Sequence, residues 1–177
     1  MGSISSNNNV YSYARANPIS NADPLGLKTT VVITYDGAIG SHAALYVTNG
    51  LYNEPMLYDP AGGYMATTRG SADALHGDEA DLNSYISYQR STGSSVKTYT
   101  FNTTPAEEAQ IANRADQLGG RAPFNCARAT SASLTGSGPF KNLDSYFFPG
   151  NLASALAQLP WATITSDPPL PPVPGSR

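Results

Sequence analysis

Pro123-Phe124-Asn125-Cys126-Ala127-Arg128-Ala129-Thr130-Ser131-Ala132-Ser133-Leu134 carries the single cysteine of a 177-residue chain and places it where a helix begins. Pro123 disfavours continuation of any preceding helix, Asn125 is a good N-cap, and the Ala-rich run from Cys126 to Leu134 is helix-compatible. Cys126 therefore falls in a first helical turn. Backbone N–H groups and the positive end of the helix dipole favour an anion there, so a thiolate is stabilised and the thiol pKa falls. A lone cysteine is more often a small buried hydrophobe than a nucleophile, and this stretch alone leaves both readings open. The rest of the chain is read by whether it brings a base to that thiol.

Three strand patterns lie upstream. Thr29-Thr30-Val31-Val32-Ile33-Thr34-Tyr35 is β-branched and reads as a buried strand, closed by Asp36-Gly37 and Gly40. Ser41-His42-Ala43-Ala44-Leu45-Tyr46-Val47 follows and ends at Asn49-Gly50. Alternation sets His42, Ala44 and Tyr46 on one face and Ala43, Leu45 and Val47 on the other. The small Ala44 beside His42 is expected to let a helix terminus approach the imidazole. Glu54-Pro55-Met56-Leu57-Tyr58-Asp59 is the third strand, and the short connection before it predicts an antiparallel hairpin.

Residues 64 to about 95 read as polar, with a short helix between Asp78 and Arg90 and with His76 in a solvated loop. Val96 to Phe101 alternates as a fourth strand. Thr104-Pro105-Ala106-Glu107 is a strong helix start, with Thr as N-cap, Pro at the first helical position and Glu to close a capping box; that helix runs to about Leu118 and stops at Gly119-Gly120. A last helix is expected from about Asn151 to Leu159, and the Pro-rich end reads as an extended tail over 164–177. The fold class is accordingly α+β, an antiparallel sheet packed on the helix that carries the cysteine.

Composition narrows the function. Net charge is −3 and no Lys/Arg cluster occurs, which argues against a nucleic-acid surface needing basic side chains to neutralise phosphates. One cysteine excludes an internal disulfide and a multi-cysteine zinc site. Without a C-x-x-C pair the zinc nucleobase deaminase pattern is excluded too. No cofactor or metal is called for. No apolar run is long enough for a membrane span, and the N-terminus lacks the apolar core of a signal peptide, so export is expected to use another route.

Thiol-dependent acyl transfer needs a nucleophile, a base and a group that fixes the imidazole tautomer. Cys126, His42 and Asp59 can fill these roles. The Cys126 N–H is a candidate oxyanion donor, with Asn125 capping the helix or assisting. Gly40-Ser41-His42-Ala43-Ala44-Leu45-Tyr46-Val47, then Leu57-Tyr58-Asp59, then Asn125-Cys126 resembles the circularly permuted NlpC/P60 branch of the papain-like hydrolases, whose order is His, polar residue, Cys. The resemblance spans roughly residues 28 to 160 and rests on short motifs. It implies a papain-like cysteine hydrolase with Cys126 as nucleophile, His42 as base and Asp59 as third member.

A second resemblance lies at the N-terminus. Tyr11-Ser12-Tyr13-Ala14-Arg15-Ala16-Asn17-Pro18 followed by Asp23-Pro24-Leu25-Gly26-Leu27 is similar to the conserved core end of Rhs/YD-repeat proteins. The resemblance implies that residues 1–27 close an Rhs shell, that cleavage falls between Leu27 and Lys28, and that residues 28–163 form a toxin domain. It further implies type VI-type secretion into a target cell, the periplasm or alternatively the cytoplasm, and a cognate immunity protein as partner. Together the two resemblances imply an antibacterial effector that cleaves an amide bond, with peptidoglycan stem peptides as first candidate. A lipid ester or a protein glutamine is the enzymatic alternative, because one such constellation serves all these carbonyls. A non-enzymatic binding module, in which Cys126 merely packs, is the alternative of another class.

Overall fold

A computed structural model describes residues 26–68, 73–120 and 123–172. The motif over 11–25 lies outside the described residues, and Gly26 and Leu27 are its only described members. The described residues form a six-stranded antiparallel sheet and four α-helices. The strands are β1 (Lys28–Asp36), β2 (Ile39–Val47), β3 (Met56–Tyr58), β4 (Ala74–His76), β5 (Ser95–Asn102) and β6 (Thr163–Asp167), in the order β4-β3-β2-β1-β5-β6. The helices are α1 (Leu82–Ser91), α2 (Pro105–Leu118), α3 (Cys126–Leu134) and α4 (Pro149–Gln158).

β1 and β2 are central because both of their faces are covered. Val31 and Ile33 pack with Ala43, Leu45 and Val47 against α2, α3 and α4, while Val32 and Ala44 pack with Leu57, Leu75 and Tyr85 on the α1 side. That two-sided burial explains why β1 reads as a continuous β-branched run rather than an alternating one. Each fully buried Leu or Ile here contributes about 1.5–3 kcal/mol. α2 begins as expected: Thr104 accepts from the Glu107 N–H at 3.4 Å while the Glu107 carboxylate accepts from the Thr104 N–H at 2.7 Å. α1 is capped by the Asp81 carboxylate, which accepts from the Ser84 N–H at 2.6 Å.

Four expectations are corrected. His76 is not in a solvated loop; it ends β4, opposite Met56, and its Nδ1 is buried without a hydrogen-bond partner among the described residues. Residues 163–167 pair with β5, so the expected tail boundary at 164 falls inside a strand. Arg90 Nε donates to Pro168 O at 2.7 Å and the Leu170 N–H to Arg90 O at 3.1 Å, which fastens the following segment to α1. The small residue admitting the cysteine helix is Ala43, not Ala44. Ala43 packs in the cluster with Ala127 and its carbonyl accepts from Thr130 Oγ1 at 3.3 Å, whereas Ala44 faces Tyr85 of α1. Finally, Asn125 occupies the N-cap position of α3, but its side chain makes no capping bond.

Gly40 is required by a close approach. A Cβ there would lie 2.7 Å from the Gly150 nitrogen, and backbone cannot yield as a flexible side chain would. The start of β2 is thus seated directly on the first turn of α4.

Candidate active site

The site forms where β3 leaves β2. β3 pairs with β2 only from Val47–Met56 to Leu45–Tyr58, so residues 39–44 of β2 have no β3 partner. Into that interval Asp59 projects from the end of β3, and α3 delivers Cys126 from the other side of the sheet. A bulge at Ser41 sets two residues, Ser41 and His42, against Thr34, and Ser41 Oγ donates to Thr34 O at 3.2 Å. Bulges locally re-aim side chains, and this one immediately precedes His42.

His42 Nε2 lies 2.6 Å from Asp59 Oδ1. An ionised carboxylate only accepts, so Nε2 carries the proton and Nδ1 is left for the thiol. Asp59 is fully buried, a costly place for an anion unless donors surround it. Tyr85 Oη donates to Oδ1 at 2.8 Å, and the Tyr64 N–H reaches Oδ2 at 3.3 Å. Gly62 makes room for this carboxylate: a Cβ at that position would stand 2.1 Å from Oδ2. Behind Tyr85, Gln89 Nε2 donates to the phenol oxygen at 2.9 Å.

Cys126 is nearly buried, 5% exposed, in the first turn of α3. The turn before it holds Phe124 at φ 68°, a left-handed conformation that a non-glycine residue adopts at a cost of about 1 kcal/mol or more. Burial pushes the thiol up, but the hydrogen bond and charge of His42, with backbone N–H groups of Ala43 and Ala127, outweigh it and hold Cys126 below its ordinary pKa. Burial alone would lower the imidazole. Its bonds to Asp59 and Cys126, and their charges, overcome this and push His42 up to about 9. The two shifts are complementary: thiolate and imidazolium stabilise each other.

The structure thus brings Cys126, His42 and Asp59 together, with Asn125 adjacent on the chain. Leu27 and Lys28 stand apart from this line. The Thr103 N–H donates to Leu27 O at 3.3 Å, and the Lys28 N–H donates to Thr48 Oγ1 at 2.8 Å. The sequence reading missed Tyr85 and Gln89. Their i, i+4 spacing puts two polar side chains on one helix face, but only a helix buried on that face makes the pair informative. Among the described residues, no group of three or more His, Cys, Asp or Glu side chains is arranged to hold a metal ion, and no helix is long and apolar enough to cross a membrane.

Fold and site define a mixed α/β domain in which one thiol, one imidazole and one buried carboxylate stand in a hydrogen-bonded line. No family model, no curated protein and no solved structure matches the chain.

Proposed function

We propose that the chain is a papain-like cysteine hydrolase, the toxin domain of an Rhs-type antibacterial effector, and that it cleaves an amide bond in peptidoglycan stem peptides. The observation that carries the hydrolase reading is the pairing of a lowered thiol with a raised imidazole whose far nitrogen is fixed by a buried carboxylate. A cysteine that merely packs needs no such partner. The effector part of the reading rests on the motif over residues 11–27.

The chemistry runs as follows. The Cys126 thiolate attacks the carbonyl carbon, a C–S bond forms, and the carbonyl π-electrons move onto oxygen, for which the Cys126 N–H at the helix start is the candidate donor. Collapse expels the amine, which takes its proton from the His42 imidazolium. Water then adds to the thioester, giving its proton to neutral His42. The acid departs and the thiolate–imidazolium pair is restored. Asp59 keeps the imidazole in one tautomer throughout, without taking the proton itself.

Incubation of the protein with purified sacculi and, separately, with phospholipid vesicles, followed by mass spectrometry, tests the substrate. The expected result is release of stem-peptide fragments bearing a new carboxylate and a new amine, abolished by Cys126→Ala. Release of fatty acid instead moves the target to a lipid ester, and no product with a thiol of ordinary reactivity leaves a binding module.

A further inference from the structure

We propose that Tyr85 of α1, held by Gln89, is a positioning residue that keeps the Asp59 carboxylate ionised and aimed at His42. The inference rests on the hydrolase reading above and concerns the same site.

A phenol has one proton and an oxygen that can accept. Gln89 Nε2–H occupies that oxygen as donor at 2.9 Å, so the Tyr85 proton is directed elsewhere, to Asp59 Oδ1 at 2.8 Å, which as a carboxylate oxygen can only accept. Gln89 thereby sets the direction of the Tyr85 bond. All three side chains are buried: Tyr85 and Asp59 completely, Gln89 with 8% exposure. The phenol cannot turn to water, and burial together with the Asp59 charge raises its pKa well above the ordinary 10, so the hydroxyl keeps its proton through the neutral range. Tyr85 is held in turn by an edge-on contact with Tyr64, ring centroids 5.2 Å apart, and Tyr64 also gives its N–H to Oδ2 of the same carboxylate. Both Asp59 oxygens are thereby tied on the α1 side of the sheet. Oδ1 also meets His42 Nε2, 2.6 Å away.

A donor to the charged form of a buried acid lowers its pKa, so removing the donor makes Asp59 easier to protonate. A protonated Asp59 no longer supports the imidazolium, and the thiolate is lost with it. The acid limb of Cys126 reactivity must therefore move to higher pH when Tyr85 loses its hydroxyl.

The test is the rate of Cys126 alkylation by iodoacetamide against pH, which needs no substrate, for wild type, Tyr85→Phe and Gln89→Leu, with circular dichroism melts of each. The expected result is an acid limb displaced upward by about one pH unit in Tyr85→Phe, about tenfold slower labelling on that limb, and a smaller displacement in the same direction for Gln89→Leu. Superimposable profiles in folded variants overturn the proposal. If Tyr85→Phe does not fold, the Gln89→Leu profile alone decides: a displaced limb supports the proposal and an unmoved one overturns it. A wild-type thiol that titrates at its ordinary pKa instead removes the paired-thiol reading itself, so the two failures are told apart.

Discussion

Among the described residues two carboxylates are completely buried, Asp59 and Glu108, and they illustrate how differently a buried charge can be employed. Glu108, in the first turns of α2, accepts from Thr103 Oγ1 at 2.7 Å, from Thr48 Oγ1 at 3.1 Å and from the Asn49 N–H at 2.6 Å. These neutral donors come from the loop after β2 and from the segment leading into α2, so the carboxylate fastens two connections together. Asp59 also takes a hydroxyl and a backbone N–H, but at 2.6 Å it meets an imidazole whose other side meets a thiol. Burial does not distinguish the two. What sets Asp59 apart is its place in the line that runs through His42 to the thiol.

The sharpest break of this comparison is expected at the thiol end of the Asp59 line. Cys126→Ser and His42→Ala should each reduce turnover by about 10³-fold or more; Cys126→Ser should leave the melting temperature nearly unchanged, whereas His42→Ala should lower it, because the buried Asp59 carboxylate loses its imidazole partner. Steady-state kinetics beside thermal melts check this.

Exchanging the carboxylates for amides comes next. Asp59→Asn should lower kcat by about 10³-fold, since an amide nitrogen facing Nε2 favours the wrong tautomer. Glu108→Gln should lose about 1–3 kcal/mol of stability through mismatched donors, yet keep its kcat per folded molecule. Equal kinetic loss in both would erase the distinction drawn between them.

Gly62→Ala tests the carboxylate's seat without touching its chemistry. A methyl 2.1 Å from Oδ2 must displace Asp59, so kcat should fall and labelling of Cys126 should shift toward an ordinary thiol profile. Gly40→Ala is its counterpart away from the carboxylate: with only backbone 2.7 Å away, the expected loss is chiefly in stability.

Dependence on pH sharpens the picture further. Turnover should rise as pH climbs through the lowered Cys126 pKa and fall as His42 loses its proton near 9. The stability contribution follows the same group. His42 is raised in the fold from about 6.5 to about 9, so its favourable charge is fully present below about 6.5 and is lost as pH rises through about 9. Denaturant midpoints at pH 6 and pH 10 measure it, and His42→Ala should flatten the difference. The smallest effect is expected at the other histidine: His76→Ala should leave turnover unchanged, because β4 holds it opposite Met56, away from the Cys126–His42–Asp59 line.

Local patterns in the sequence determined the helix starts at Thr104 and Cys126, the buried run of β1, the alternation of β2 and β5, and the three residue types from which a thiol site can be assembled. Each of these follows from near-neighbour physics: capping, β-branching and period. β4 and β6 did not announce themselves. Ala74-Leu75-His76 is three residues long, and Thr163–Asp167 is almost wholly exposed, so each is a strand only because the edge of β3 or β5 offers it hydrogen bonds. Tertiary structure alone decided that α3 lies against the Ala43 face, that β3 parts from β2 to let Cys126 reach His42, and that Tyr85 and Gln89 close behind Asp59. Those outcomes depend on contacts between residues 17 to 87 positions apart. No local pattern encodes such contacts, because the partner that gives each side chain its meaning arrives only when the sheet and its helices pack.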